Sequence, residues 1–325
     1  MLYGATMFPT DYAIRPDELA RLLEERGFES YWAPEHTHIP ASRRSPWPGG
    51  PELPKEYWHT HDPFVALTAA AMATTKLKVA TGICLIIERD PITTAKAVAS
   101  LDFLSNGRFL FGIGGGWNAE ETENHGTKFK QRWRVMRENV LAMKEIWTQN
   151  EAEFHGDFVD FDKIWTYPKP VQQPHPPVIM GGDGPRTFDR VIEYGDGWMP
   201  ILGRTAGGPS LAEKIAELRR RATEAGRDPD SISISTFGAP GDRDGLDKLE
   251  QAGVERAIFW LPPADRETVL PVLDRYAELM AAGIFRLTRC LPPDRIGAIT
   301  EEGRPEEWLK LSTPLHSHIR VPGPC

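Results

Sequence analysis

Short apolar runs alternate with longer amphipathic stretches along most of the chain. The apolar runs are continuous, which is the pattern of parallel strands covered by helices on both faces. The amphipathic stretches repeat apolar residues every three or four positions, and several begin after proline or end on glycine, as helices do. We predict strands at 2–7, 30–33, 77–85, 109–113, 177–180, 197–201, 232–236 and 256–261, and helices at 16–27, 63–74, 91–104, 185–194, 210–225, 244–252 and 265–281.

This order of elements predicts an α/β fold in which each of about eight strands is followed by a helix. Strands alternating with helices pair in parallel, and eight such units close into a TIM (β/α)8 barrel. An open doubly wound sheet is the structural alternative. The barrel domain is predicted to span 1–281, and 282–325, which has no sustained period, is predicted to be a poorly packed C-terminal tail.

Two long stretches interrupt the alternation. Residues 36–63 form a loop rich in proline, glycine and aromatic residues, and loops of that length in a compact domain are usually functional or disordered. An insertion at about 117–176, between the fourth and fifth predicted strands, contains a long helix with an apolar stripe that suits either core packing or a subunit contact. The stripe consists of Phe129, Trp133, Met136, Val140, Met143 and Trp147.

Composition narrows the range of functions. A formal net charge of -8 and a pI near 5.7 disfavour binding to nucleic acid or to an anionic membrane surface. The three cysteines are too few for a disulfide framework. We find neither a signal-peptide pattern nor an apolar run near the roughly 18 residues that span a bilayer, so we expect a cytoplasmic protein.

Active sites of TIM barrels lie at the carboxyl ends of the strands. Glu35 and His36 follow the second predicted strand, and a histidine there could exchange protons with a substrate near neutral pH. The alternative is that both residues begin the long loop and bind its backbone.

Glycine clusters stand at three further strand ends. Gly82 interrupts the third strand, and 112–116 reads Gly-Ile-Gly-Gly-Gly after the fourth, where bare backbone could lie against a planar ring. Gly181 and Gly182 precede a predicted helix start, whose amides could attract a phosphate with Arg186 or Arg204 nearby. Because turns also use glycine, one cluster alone would not predict a ligand site. The occurrence of such clusters at several predicted strand ends does.

Four segments together carry a family resemblance: FESYWAPEHTH, ATGICLIIERDPITTAKAVASLDFLSNGRFLFGIGGGWNAEE, RWRVMRENVLAMKEIW and PPVIMGGDGPRTFDRVIEYGDGWMP. From about 2 to 280 the chain resembles the bacterial luciferase-like monooxygenase superfamily, and within it the branch of probable F420-dependent oxidoreductases. The resemblance implies a TIM barrel that carries a flavin or deazaflavin at the carboxyl ends of its strands, usually as a homodimer.

The resemblance also implies roles for individual residues. Glu35 and His36 match the family's catalytic acid and histidine, with His36 nearest the reactive ring. The bulged third strand, often with a cis peptide that does not precede proline, matches Thr81, Gly82 and Ile83. The remaining cofactor contacts are the backbone at Gly114, Gly115 and Gly116, the phosphate loop at Gly181 and Gly182, and a basic residue at Arg204.

The expected function is that of an oxidoreductase transferring a hydride between coenzyme F420, or FMN, and a small organic substrate. Trp117 stands where some deazaflavin enzymes have a catalytic acid, which favours a more apolar substrate. An FMN-dependent monooxygenase that inserts oxygen is an alternative. Two others are a non-catalytic flavin carrier and a metal-dependent barrel hydrolase using Glu35, His36, His38, His59 and His61.

Overall fold

The computed structural model describes residues 1–203 and 208–289 of the chain. Its strands are β1 Leu2–Thr6, β2 Ser30–Ala33, β3 Lys78–Thr81, β4 Phe109–Ile113, β5 Ala152–His155, β6 Asp160–Ile164, β7 Val178–Gly181, β8 Gly197–Met199, β9 Ser233–Phe237 and β10 Arg256–Trp260. Its α-helices are α1 Pro16–Glu25, α2 Glu56–His59, α3 Pro63–Met72, α4 Pro91–Leu104, α5 Ala119–Asn124, α6 Arg132–Thr148, α7 Thr187–Tyr194, α8 Leu211–Glu224, α9 Arg243–Gln251 and α10 Arg266–Arg289. Short 3-10 turns occur at Ile86–Glu88, Phe129–Gln131 and Pro229–Ser231.

Eight of the strands form one closed parallel barrel in the order β1-β10-β9-β8-β7-β4-β3-β2. Strand β1 pairs in parallel with β2 on one side and with β10 on the other, so the sheet has no free edge there. The predicted TIM (β/α)8 barrel is confirmed, and the open doubly wound sheet is wrong. Between β4 and β7 the chain forms α5, α6 and the antiparallel pair β5–β6.

Large side chains fill the inside of the barrel. One layer takes a residue from each of seven strands, and it consists of Trp32, Ala80, Leu110, Ile179, Met199, Phe237 and Ile258. At the amino-terminal end of β10, the buried Arg256 donates two hydrogen bonds to the carboxylate of Glu29, at 2.7 and 2.8 Å. The barrel therefore has a packed interior, and room for a ligand lies beyond the carboxyl ends of the strands.

Aspartate–proline pairs fix two helix starts that precede and follow β3. The carboxylate of Asp62 accepts hydrogen bonds from the amides of Phe64 and Val65 at the start of α3. The carboxylate of Asp90 accepts one from the Thr93 amide in α4. Proline occupies the first helical position in both cases, where its missing N–H costs nothing.

Two element boundaries differ from the prediction. The third strand, predicted over 77–85, ends at Thr81 and continues irregularly, because the Cys84 amide still binds the Gly112 carbonyl while a 3-10 turn begins at Ile86. The last predicted helix, 265–281, extends to Arg289.

The chain divides after Leu279, and the unit Met1–Leu279 contains the barrel. Residues 290–325 of the predicted tail lie outside the described residues, so its poor packing stays a prediction. None of the helices in the described ranges is both long and apolar enough to cross a bilayer.

Candidate active site

A cleft opens at the carboxyl ends of the barrel strands. It has a volume of about 1020 Å³, its open mouth included. Aromatic side chains from six separate parts of the chain form much of its wall. They are Phe8, Tyr57, Trp117, Trp133, Phe237 and Trp260, which lie beside Pro34, Pro48, Leu85, Met199 and Ile201.

The cleft brings most of the predicted site residues together. Those that line it are Glu35, His36, Gly82, Ile83, Gly114, Gly115, Gly116, Gly181 and Gly182. Thr81 is fully buried beneath the cleft, where its hydroxyl donates to the Gly112 carbonyl at 2.7 Å. Arg204 lies outside the described residues. Strand ends up to 147 positions apart in the chain (Glu35 to Gly182) thus meet at one site.

His36 is held by a buried carboxylate from α5. Its Nδ1 lies 2.7 Å from Oε2 of Glu121, and the other oxygen of Glu121 accepts a hydrogen bond from the Thr37 amide at 3.0 Å. The side chain of Glu121 is fully buried, and that of His36 is 7% exposed. Since Nδ1 is engaged, Nε2 is the ring nitrogen available to a ligand in the cleft that His36 lines.

Two aromatic rings fix the plane of the imidazole. The ring centroids of Tyr57 and Trp117 lie 5.1 and 5.7 Å from that of His36. Tyr57 comes from α2 in the long loop, and Trp117 follows the glycine run after β4. Two other aromatic residues of the long loop and the insertion, Trp58 and Trp165, have exposed side chains and are not among the residues that line the cleft.

Glu35 has different partners from His36, although the two are adjacent in sequence. It is buried, accepts a hydrogen bond from the Leu85 amide at 2.6 Å and another from Nε of Arg89 at 2.6 Å. Arg89 in turn contacts Asp62, which begins α3. The carboxylate that contacts His36 is therefore that of Glu121, whereas the carboxylate of Glu35 links the end of β2 to the segment after β3 and, through Arg89, to Asp62 before α3.

The glycines after β3 and β4 make room for side chains of the protein itself. The peptide bond between Gly82 and Ile83 is cis, as the resemblance implies. A Cβ atom at Gly114 would lie 1.9 Å from Cδ1 of Ile83, and one at Gly115 would lie 2.5 Å from the ring of Trp133. Ile83 and Trp133 thus occupy the space that bare backbone leaves, and they present their own surfaces to the cleft.

The loop after β7 has open backbone at one glycine. Gly182 has φ +112°, and a Cβ atom there would meet nothing within 4 Å. The Gly184 amide already donates to Oγ1 of Thr187 at 3.0 Å, so it is engaged within the loop. Helix α7 begins at Thr187, two residues after the predicted start at Pro185.

A second buried carboxyl group lies behind Glu121. Glu88 is buried, and its Oε1 accepts from the Thr122 hydroxyl at 3.0 Å. Its Oε2 has no hydrogen-bond partner among the described residues and lies 3.9 Å from Nε2 of His125. Burial, with the charge of Glu121 adding to it, raises the pKa of Glu88 to about 9. Glu88 is therefore a neutral carboxylic acid at neutral pH.

Glu120 secures the long loop over the site. Its carboxylate accepts hydrogen bonds from Ser42, from Nε of Arg44 at 2.9 Å and from the Ser45 amide at 2.8 Å. Hydrogen bonds from Ser42 and Arg44 lower the pKa of Glu120 to about 2. The two consecutive glutamates of α5 therefore bind different parts of the segment after β2. Sequence reasoning missed both; the acidic first turn after Asn118 was the available signal.

The histidines proposed for a metal site diverge. His36 binds Glu121, His38 contacts Thr37 and Asn124, and His59 contacts Asp11. In the described ranges, no group of three or more His, Cys, Asp or Glu side chains is arranged to hold a metal ion. The hydrolase alternative therefore has no support in this part of the chain.

Comparison with known proteins identifies the family. The profile of the luciferase-like monooxygenase family matches residues 11–278. An uncharacterised protein of Mycobacterium tuberculosis is 37% identical over 287 residues, which are 86% of this chain and 99% of that protein. Other relatives include F420-dependent dehydrogenases and an FMNH2-dependent monooxygenase.

Solved structures share the fold. The monooxygenase RslO1 from Streptomyces bottropensis superposes with a TM-score of 0.71 at 19% identity, covering 87% of this chain and 100% of that one. An F420-dependent secondary alcohol dehydrogenase, solved with an F420-acetone adduct, superposes with a TM-score of 0.67 at 21% identity, covering 86% and 98%. The chain belongs to the luciferase-like monooxygenase family and is an oxidoreductase.

Proposed function

We propose that the protein transfers a hydride between coenzyme F420 and a small, largely apolar organic substrate, with FMN as the alternative cofactor. The observation that carries the proposal is that His36, fixed by a buried carboxylate, shares one cleft with the backbone of Gly182. A proton-transfer group and a site for an anionic cofactor thus face the same space.

The residues present fit a tricyclic ring with a phosphate. Ile83, Gly114 and Gly116 would lie along the ring, and the open backbone at Gly182 would face the phosphate. When bound, the deazaflavin supplies a carbon that accepts or delivers a hydride. The protein supplies orientation, exclusion of water and proton transfer.

His36 would handle the proton that accompanies the hydride. If an alcohol is oxidised, Nε2 accepts the hydroxyl proton; if a carbonyl is reduced, Nε2 donates a proton to the oxygen. Glu121 holds Nδ1 so that Nε2 is presented to the cleft. Tyr57 and Trp117 form an apolar wall beside that nitrogen, which suits a substrate with few charged groups.

Cofactor titration tests the proposal. Apo-protein is titrated with F420 and with FMN, and binding is measured by fluorescence; bound F420 is then mixed anaerobically with candidate secondary alcohols while its absorbance is recorded. Micromolar F420 binding with reduction of the ring supports the proposal. Binding of FMN alone, with oxygen consumed upon its reduction, would instead support the monooxygenase alternative. Tight binding without turnover on any substrate supports the carrier.

We also propose that the protein is a homodimer, as the family resemblance implies, and that the neighbouring helices α3 and α4 form the interface. Large apolar side chains on these helices are exposed: Val65 by 70%, Met72 by 64%, Phe103 by 58% and Leu104 by 49%. Light scattering after size-exclusion chromatography should give twice the chain mass. Met72→Glu with Phe103→Glu should give monomer; an unchanged mass in that variant argues against this face.

A further inference from the structure

The strand order gives the cleft two halves with different linings. The glycines that line it follow β3, β4 and β7, which are neighbours in the barrel. The strands β9, β10 and β1, also neighbours, place Phe237, Trp260 and Phe8 along the cleft at their carboxyl ends. His36 follows β2, which lies between β3 and β1, so it stands where the two halves meet. With a cofactor ring along the glycines, the aromatic half is left to the substrate.

Trp260 is supported by other rings and is exposed all the same. Its ring stacks on that of Phe237, with centroids 5.5 Å apart and planes at 26°, and Phe237 lies at nearly a right angle to the fully buried Trp32. Gly238, with φ +82°, leaves space for the indole, because a Cβ atom there would lie 3.3 Å from its Nε1. Trp260 is nevertheless 43% exposed, and of the large exposed apolar residues in the described ranges it alone lines the cleft.

An exposed indole inside a cleft indicates a ligand that covers it. Single exposed apolar side chains are ordinary on a convex surface. This one lies in a concavity with an apolar wall, and the rings behind it set its orientation before a ligand arrives. A flat aromatic ring gains most from such a surface, because stacking adds to the gain from burial.

The lining of the cleft disfavours a charged substrate. No lysine or arginine is among the described residues that line it, and the acid Glu35 is already bound to Arg89. A carboxylate or phosphate on the substrate would therefore lose its hydration in the aromatic half without gaining a cation. The group that reaches His36 is then best an uncharged hydroxyl or carbonyl.

We propose that the substrate is an uncharged secondary alcohol or ketone that carries an aromatic ring, and that this ring stacks on Trp260 while the oxygen reaches His36. The inference rests on the proposed function and adds to it the substrate class and the residue that selects it. Oxidation of such an alcohol moves the hydride of its carbinol carbon to the F420 ring and the hydroxyl proton to Nε2 of His36, which leaves the ketone. Trp260 determines specificity and takes part in neither transfer.

Two alcohols of similar size test the inference: 1-phenylethanol, whose ring is flat, and 1-cyclohexylethanol, whose ring is puckered. Reduction of bound F420 is followed anaerobically by absorbance with each of them, and with 4-(1-hydroxyethyl)benzoate, which adds a carboxylate to the flat ring. We expect kcat/KM for the phenyl compound to exceed that for the cyclohexyl compound about three- to tenfold, the range of an aromatic pair. It should exceed that for the benzoate by on the order of tenfold or more.

Substitution of Trp260 should remove this selectivity. Trp260→Leu keeps an apolar side chain without the flat surface, so the preference for the phenyl compound should be lost through a higher KM, with kcat within about twofold. Trp260→Phe keeps a ring and should retain most of the preference. Trp58→Leu is the matched control, because Trp58 in α2 is 50% exposed and does not line the cleft. It should behave as the unaltered protein does.

Calorimetry with the matching ketones, acetophenone and cyclohexyl methyl ketone, gives the same comparison without turnover, on protein loaded with F420 or with FMN. Equal values for the flat and puckered compounds, an equal loss of both in Trp260→Leu, or a preference for the benzoate would overturn the inference. F420 reduction by propan-2-ol but by neither ring compound would overturn the inference alone. A Trp260-dependent ring preference in calorimetry, without F420 reduction by any alcohol, would overturn the proposed function and leave the ring site standing.

Discussion

Nδ1 of His36 and Oε2 of Glu121 lie 2.7 Å apart, although 85 residues separate them in sequence. His36 follows β2 and Glu121 lies in α5 after β4, so the contact joins two strand ends of the barrel. The carboxylate is fully buried and its second oxygen is bound to the Thr37 amide. A buried carboxylate with both oxygens bound fixes the orientation and the tautomer of the imidazole, as the aspartate of a catalytic triad does.

Removing the imidazole should abolish proton transfer while leaving the cofactor site intact. We expect His36→Ala to lower kcat by on the order of 10²-fold or more. The Kd for F420 should stay within about tenfold, or about 1.4 kcal/mol, because the backbone around the ring is unchanged. Steady-state rates and fluorescence titration measure the two effects, and an unchanged kcat would remove His36 from the mechanism.

Glu121→Gln should act through His36. An amide cannot neutralise the protonated imidazole and can donate to Nδ1, which favours the wrong tautomer, so kcat should fall about 10- to 100-fold. The pH dependence of kcat should shift as well, which a loss of stability alone would not produce. Glu123→Gln, an exposed position in the same helix, is the control and should behave as the unaltered protein does. An E121Q profile of normal height and midpoint contradicts this role.

Glu35→Ala should lower stability, because it leaves the guanidinium of Arg89 partly buried without its 2.6 Å partner. Breaking a buried ion pair on one side costs about 3–5 kcal/mol of unfolding free energy, and because Arg89 keeps its contact with Asp62 we expect a loss no larger than the lower of these values. Urea denaturation of Glu35→Ala, Arg89→Ala and the double variant measures it. The double variant should lose less than the sum of the single losses; strict additivity would show that the contact contributes little.

Gly114→Ala should displace Ile83, since the new methyl group would lie 1.9 Å from its Cδ1. The overlap should cost about 1–3 kcal/mol and weaken cofactor binding. Ile83→Val removes that carbon and leaves the nearest remaining atom at 3.3 Å, so the double variant should recover most of both losses. Thermal melts and F420 titration test this; absence of rescue would mean that Gly114 is required by the cofactor itself.

The raised pKa of Glu88 predicts how the free energy of unfolding depends on pH. Its pKa is near 9 in the folded protein, against an ordinary value of 4.5, so the folded state holds a proton that the unfolded state releases between these values. The contribution of Glu88 to the free energy of unfolding is therefore fully present below about pH 4.5. It falls as the pH rises towards 9, by at most about 1.4 kcal/mol per pH unit.

Glu88→Gln keeps a neutral side chain of the same shape and should abolish that loss. Its melting temperature should match that of the unaltered protein near pH 5 and exceed it increasingly up to pH 9. A difference that stays constant over this range would contradict a protonated Glu88.

Much of the fold could be predicted from the sequence. Continuous apolar runs and capped amphipathic stretches depend on residues close in sequence, so eight barrel strands and their order were predictable. The insertion was harder: the 152–164 hairpin, whose strands are largely exposed, has no apolar run to indicate it. The short α2 and α5 were also missed, because one or two turns give little periodicity.

The sequence allowed us to predict many of the residues that line the candidate site, but not which side chains contact one another there. Glu35 and His36 are adjacent in the chain just after β2, yet their side chains bind different partners, Arg89 and Glu121 respectively. Both residues line the cleft, and the ring of His36 lies beside that of Trp117. The partner of His36 could not be predicted, because nothing near it in sequence indicates which of the acids after β4 would reach it.

The sequence by itself determined the barrel, the strand ends that carry glycine and histidine, and the family, since all of these follow from local periodicity and from motifs of adjacent residues. Only the tertiary structure decided that Glu121 holds His36, that Ile83 and Trp133 fill the space beside Gly114 and Gly115, and that Glu88 is neutral. These properties depend on burial and on distances of a few ångströms between segments far apart in the chain, which no pattern along the chain specifies.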